Sequence, residues 1–423
     1  MKRKIDEELL KWKRDDKKIP LFLYGSTCVG KTYSSLEFGK KNYSNVAYFD
    51  TFNNKELLKL LEKEKILDKL IVKLSIMCGE SILKDETLII FDNINNSKLI
   101  KNLHIFNNEN NFYPTIFISN NIPLVNKTVY EGFYYRKMYS MDFFEYLLNT
   151  DKSHLIDFII DSYENNSKMP FHNLAIDAYY EYLETGGYPE VVHAKIKGLD
   201  NLYLENIKSK IKDIIRSNYS LFKGNILFTK SEEVMNIIPE MLSRKNKKFQ
   251  YNLIKIGARS KEYDPNINLL VSHGILTRSY RVNDIKGSLS KEKDEESFKL
   301  YYNDVGLLYS GLFMNHQKLL INEELKTSLM ENDIANTLIK LGYNLYYYQT
   351  EAKSEIEFII QNKMGKIIPI ELKFNKSSKS KILSTINNRF NITDAIKITE
   401  ENFSKKNGIK SIPIYAVSCL KDL

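Results

Sequence analysis

Cysteine is scarce in this chain. Three occur in 423 residues, at Cys28, Cys78 and Cys419, and none forms a CxxC pair. That argues against a disulfide framework or a cysteine zinc site and fits a reducing compartment. The six histidines (His104, His154, His172, His193, His273 and His316) show no metal-ligand spacing. No apolar run reaches the ~18–20 residues that would span a bilayer. The opening stretch, MKRKIDEELLKWKRDD, is charged throughout and lacks the apolar core of a signal peptide. These absences lead us to expect a cytoplasmic protein with no membrane partner.

What is present describes a folding chain. Hydrophobic residues make up 43% and charged residues 27%, the balance of a globular protein rather than a disordered one. The length suggests roughly two to four domains. The net charge of +9 favours an anionic partner mildly, although solvated lysines account for it equally well.

The strongest pattern lies near the start, in IPLFLYGSTCVGKTYSSLEFGKK. Residues 19–24 are a short apolar run, predicted as a buried strand. Gly25, Ser26, Thr27, Cys28, Val29, Gly30, Lys31 and Thr32 then satisfy GxxxxGK[ST]. Glycines permit the backbone torsions and close approach that such a loop needs. Its amides and the start of the next helix cradle phosphates. Lys31 would reach the β- and γ-phosphates of ATP, and Thr32 would place its hydroxyl on Mg²⁺. NVAYFD (45–50) is a second predicted strand, and residues 54–84 have a helical period.

LIIFDN follows at 88–93, an apolar run ending in Asp92. Asp92 stands about 60 residues after the loop, where the acid that completes the Mg²⁺ shell belongs. Its neighbour is Asn93, which cannot take a proton. TIFISNN (115–121) is a fourth apolar run, and a polar residue at its end would face the γ-phosphate; Asn120 is the first choice and Ser119 the alternative. Strands alternating with helical stretches predict an α/β domain with a parallel sheet covered on both faces.

Residues 142–230 read as helices, a lid or a linker bundle. Within 231–305 the helical segments SEEVMNIIPEMLSRK, KFQYNLIKIGAR and EYDPNINLLVSHG precede the strands ILTRSYRV and FKLYYND, the order of a winged helix. Between residues 243 and 261 lie Arg244, Lys245, Lys247, Lys248, Lys255, Arg259 and Lys261 with no acid, a stretch able to neutralise DNA phosphates or simply to face solvent. Farther on, LMENDIANTLIKLGY is a predicted amphipathic helix, with NLYYYQ, SEIEFII, KIIPIELK, DAIKIT and IPIYAV as strands. Glu355 and Glu357 share one strand face, as do Glu371 and Lys373 on the next strand. Two acids on adjacent strands beside a lysine would hold a divalent metal and activate water on a phosphodiester; exposed strand faces also carry such charges without purpose.

The chain as a whole resembles a widespread family of prokaryotic ATPases that join an AAA-type P-loop domain to a C-terminal domain of unknown function, made of a winged helix and a restriction-endonuclease-like fold. The stretches that carry the resemblance are LYGSTCVGKT, LIIFDNIN, MDFFEYL, TGGYPEVV, NKKFQYNLIKIGAR, LYYNDVGLL, and SEIEFII with IPIELK. It implies four segments: a P-loop core (1–141), a helical lid (142–230), a winged-helix-like part (231–305) and an endonuclease-like α/β domain (306–423). It implies ATP and Mg²⁺ at Lys31, Thr32 and Asp92, with Lys31, Asp92, Asn93 and Asn120 around the reaction. It also matches Glu331, Glu357, Glu371 and Lys373 to the endonuclease-type metal motif. Two positions depart from that pattern. The family's Glu after the strand acid is Asn93, and its usual Asp in the first metal strand is Glu357. We expect a slow or regulatory ATPase, with ATP-dependent DNA processing as the alternative and a protein partner or a homo-oligomer behind the C-terminal half. Arg136 and Arg259 are equal candidates for an arginine finger.

Overall fold

The computed structural model describes all residues except 95–96, 109–110, 121–131, 224, 313–321, 351–353, 375–381 and 407–408. The chain forms two compact units. One comprises Lys2–Ser140 with Ser272–Gly274, and the other Met141–Val271 with Ile275–Leu423.

The first unit is built on a parallel sheet of β1 (Leu21–Tyr24), β2 (Asn45–Asp50), β3 (Thr87–Asp92), β4 (Thr115–Ser119) and β5 (Tyr134–Lys137), in the spatial order β2-β3-β4-β1-β5. Every neighbouring pair is parallel. Parallel neighbours need crossovers, supplied here by helices α2 (Lys31–Asn42), α3 (Lys55–Lys63), α4 (Leu67–Cys78) and α5 (Ser97–Leu103), with α1 (Lys4–Arg14) preceding them. Both sheet faces are covered, so Leu88, Ile89, Ile90 and Phe91 are all fully buried without alternation. One aromatic row crosses the sheet in register: Phe49 opposite Phe91, Phe91 opposite Phe117, Phe117 opposite Phe22, and Phe22 opposite Tyr135. Successive ring centroids are 5.3, 5.6, 6.4 and 5.4 Å apart. The row lies one residue before Asp50 and Asp92 and sets those strand ends level with each other.

The second unit begins with helices Phe143–Asn149, Leu155–Glu164, His172–Thr185, Pro189–Ile196, Asn201–Lys223 and Asn225–Ser243. The Met141, TGGYPEVV and LYYNDVGLL segments meet in one knot. The Met141 amide donates to the Gly187 carbonyl (2.7 Å), and the Gly187 amide to Asp304 Oδ2 (2.9 Å). Gly186 has φ +74°, and a Cβ there would lie 2.5 Å from Asp304 Oδ1, so only glycine fits.

Beside further helices, this unit contains a mixed sheet of eight strands among the described residues: β6 (Leu276–Val282), β7 (Lys293–Tyr302), β8 (Tyr346–Gln349), β9 (Glu355–Gln361), β10 (Ile367–Lys373), β11 (Ala395–Thr399), β12 (Ser404–Lys406) and β13 (Ile409–Pro413). Their order is β12-β13-β11-β10-β9-β8-β6-β7. Three sequence expectations change. First, the ribbon β6–β7 is not a free wing. Tyr280 and Arg281 pair in parallel with Tyr346 and Tyr347, so the ribbon is the edge of the larger sheet. Second, KFQYNLIKIGAR is not a helix but holds one 3-10 turn, Tyr251–Leu253. Phe249 overrides the helical pattern: its amide donates to the Phe298 carbonyl (2.8 Å) and its ring stacks on Phe298 at 5.5 Å. Third, IPIYAV is not one strand. β13 stops at Pro413, and Ile414–Asp422 is a 3-10 segment. Ile414, Tyr415, Ala416 and Val417 are all buried, which a half-exposed strand would not allow.

Candidate nucleotide site and the C-terminal acid cluster

The P-loop segment joins β1 to α2. Gly25 has φ +150°, and a Cβ there would lie 2.0 Å from the Met138 carbonyl oxygen, which excludes any side chain. Gly30 has φ +95° and caps α2, while Cys28 takes φ +64°, an unusual torsion for a non-glycine residue. Val29 is buried, and its carbonyl accepts from Arg3 (2.8 Å); Arg3 also donates to the Tyr139 carbonyl (2.8 Å). Ser26 is buried, and its hydroxyl oxygen has no hydrogen-bond partner.

Lys31 opens α2 and is buried. Its ammonium donates to the carbonyls of Gly25 (2.9 Å) and Ser26 (2.7 Å) and to Asn120 Oδ1 (3.2 Å). Three neutral acceptors satisfy its geometry and leave its charge unmatched. Burial pushes Lys31 down to about 8, with the Asp92 charge working the other way. Thr32 Oγ1 donates to Asp92 Oδ2 at 2.5 Å, and the Tyr48 hydroxyl reaches the same oxygen at 3.1 Å. The other Asp92 oxygen takes the Asn93 amide (2.7 Å). β4 lies between the loop strand and the Asp92 strand. Its end therefore brings Asn120 to Lys31, while Ser119 is buried and its carbonyl takes the Gly25 amide (3.3 Å).

Asn93 adopts φ +62°, a torsion that asparagine tolerates better than most residues. Its amide nitrogen donates to Asp50 Oδ1 (2.8 Å). The site residues thus fit a triphosphate with Mg²⁺. There is a buried cation without a counter-ion, an orphan loop hydroxyl, a helix start, and a hydroxyl–carboxylate pair of hard oxygens. Thr32 and Asp92 would hold the ion.

The C-terminal acids are arranged otherwise. Glu331 is buried on helix Glu323–Lys340. Its Oε2 takes Lys247 at 2.5 Å, and its Oε1 takes Lys299 at 3.2 Å and the Tyr301 hydroxyl at 2.7 Å. Burial works to raise Glu331, but the two lysines outweigh it and hold it at about 2. Glu357 instead is pushed up by burial to about 8, with Glu331 and Glu355 adding to the shift. Its Oε2 accepts the Leu372 amide (3.0 Å) just beyond Ile370–Phe358, where the β9–β10 pairing stops. Glu371 is buried and Lys373 partly so. Among the described residues no group of three or more His, Cys, Asp or Glu gathers as a metal site. Glu331, closed by two ammonium groups, and Glu357, with one oxygen on a backbone amide, do not make the open cluster of oxygens that a catalytic divalent ion needs.

The other candidates are partly committed. Arg136 donates to Glu8 (2.8 Å), whereas Arg259 is exposed. In the basic stretch Arg244 pairs with Glu240, Lys247 with Glu331, and Lys248 donates to Ser297, while Lys245, Arg259 and Lys261 are exposed. No helix among the described residues is long and apolar enough to cross a membrane.

Two domains of unknown function are matched. One family model, DUF8612, matches residues 176–318, and another, DUF4143, matches residues 326–417. No curated protein matches the chain. Among solved structures, the chain is similar to the Walker-type ATPase paby2304 of Pyrococcus abyssi, at 12% identity and a TM-score of 0.42, over 74% of this chain and 96% of that one. It is also similar to PCH-2 of C. elegans, at 11% identity and a TM-score of 0.25, over 38% of this chain and 47% of that one.

Sequence reasoning did not find Arg3, Asp50, Lys299 or the contact of Tyr48 with Asp92. Arg3 acts 26 residues from its nearer partner and 136 from the other, and no local pattern signals that. Lys299 did leave a signal: it is a lone lysine inside the apolar strand FKLYY.

Proposed function

We propose that the Lys2–Ser140 unit binds ATP with Mg²⁺ and turns it over slowly, and that its nucleotide state is passed to the rest of the chain, which serves as an interaction module. The observation that carries this reading is the convergence of Lys31, Thr32, Asp92 and Asn120 from the loop and from the ends of β3 and β4. Lys31 would give up its carbonyl partners for phosphate oxygens, which restore the counter-charge it lacks. Asn120 would hold the ammonium in place. Mg²⁺ would supply charge neutralisation across the phosphates.

Slowness follows from Asn93. Its amide can orient a water but cannot accept the proton, and it is engaged with Asp50. Asn93→Glu is therefore expected to raise the steady-state ATP hydrolysis rate by about tenfold or more. Release of phosphate by wild type and variant, measured side by side, checks this. A brisk wild type that the substitution leaves unchanged would refute slow turnover, and failure of the wild type to bind a fluorescent ATP analogue would refute the nucleotide reading itself.

A further inference from the structure

One acid of the motif that points to a metal in the C-terminal sheet, Glu331, is taken by the chain's own cations. Lys299 is fully buried on β7, between Glu331 and Glu355, with its ammonium 5.0 Å from the centre of the Tyr347 ring. Lys247 reaches the same Glu331 from the loop after helix Asn225–Ser243, and both side chains of that pair are largely shielded.

We infer that Lys299 is the resident cation between Glu331 and Glu355, that Lys247 closes the remaining side, and that this unit binds no catalytic metal. A divalent ion on Glu331 would have to displace three donors that already use both of its oxygens. Lys247 would then stay behind without its carboxylate and Lys299 would keep Glu355 alone, and a buried charge stripped of a partner is destabilising. Mg²⁺ also demands several oxygens in near-ideal octahedral placement. Glu357 has one of its two oxygens committed to the Leu372 amide. The lysines keep the acids together as an ion would, but they offer no open position at which water could be activated. The cluster is thus a structural tie between β7, β9, helix Glu323–Lys340 and the 244–250 loop. This conclusion is independent of the nucleotide site.

The test counts ions. The full chain is titrated with Mn²⁺ and the bound fraction read by electron paramagnetic resonance, alongside the Glu371→Gln chain. The two are expected to bind the same number of ions. Loss of one ion in Glu371→Gln would overturn the inference, because it would place a metal in this sheet. Thermal unfolding of Lys299→Met and Lys299→Arg is the second arm. Lys299→Met is expected to lower the midpoint, or to abolish folding, and Lys299→Arg to retain more of it because the charge stays. Equal losses in the two variants, or a Lys299→Met chain as stable as wild type, would show that the lysine does not act as a cation.

Discussion

Lys31 and Lys299 are both buried lysines beside carboxylates, yet their surroundings differ in kind. Lys31 is held by two carbonyls and an amide oxygen, with Asp92 turned to hydroxyls. Lys299 is held by two carboxylates. Neutral acceptors fix a position and leave a charge to be answered by a ligand. Carboxylates answer the charge at once. The difference teaches that a motif is open or closed according to the charge of what surrounds it, and that lysine content alone says nothing of it.

The strongest way to break this contrast is to remove one of the two cations on Glu331. Lys247→Met leaves Glu331 with Lys299 and Tyr301 alone and should destabilise the C-terminal unit by about 1.5–3 kcal/mol, the range for a lost hydrogen bond to a charged group. Denaturant unfolding followed by tyrosine-region circular dichroism would read it, and a change well under that size would show that the pair is not buried in effect. Lys31→Met, in contrast, should cost less, because it strands neutral acceptors and no buried carboxylate of an ion pair.

The contrast can also be sharpened within one helix. Asp333 lies two residues after Glu331, buried, with the Tyr179 hydroxyl on one oxygen (2.7 Å). Burial raises it from 3.8 to about 6, with Asp142 adding and Lys340 and Tyr179 opposing. A carboxyl raised in the folded state favours folding when protonated. Its contribution is therefore full below 3.8 and lost as pH rises through about 6. Glu331 runs the other way: its contribution is present above 4.5 and lost as pH falls toward about 2. Asp333→Asn should remove the decline in stability between about pH 4 and 6 and leave the acid limb intact. An unchanged profile in that variant would contradict the assignment.

The smallest effect concerns Lys31. Phosphates bind the charged form, and burial has brought this lysine to about 8. ATP affinity should hold below that pH and weaken above it, by up to about tenfold per unit. Titration of a fluorescent ATP analogue across that range measures it, and a flat profile would mean that Lys31 stays charged throughout.

Much of the candidate nucleotide site was readable from local signals. The strands Asn45–Asp50 and Thr87–Asp92 stand where the apolar runs place them, because each is a short run with polar ends. The loop needs glycine at Gly25 and Gly30, and the torsions found there explain why. The C-terminal half was less readable. β6 finds its parallel neighbour β8 some distance along the chain, and nothing in ILTRSYRV announces that pairing. Phe249 leaves its helical pattern for Phe298, a choice made by packing. Lys247 and Lys299 meet on Glu331 from separations of 84 and 32 residues, so strand faces and spacing could suggest the acids but not what neutralises them.

The aromatic row across the parallel sheet sets a hazard during folding. Phe22, Phe91 and Phe117 belong to the uncharged, β-prone segments LFLY, LIIF and TIFIS. Each emerges before its neighbours are ready, because every parallel pairing waits for a crossover to form. Until then such segments invite pairing with other copies of the chain. Asp92, at the end of β3, is the charge that interrupts one of them. Neutralising Asp92 would thus cost soluble yield as well as the proposed metal ligand, and any variant made there must be judged on both counts.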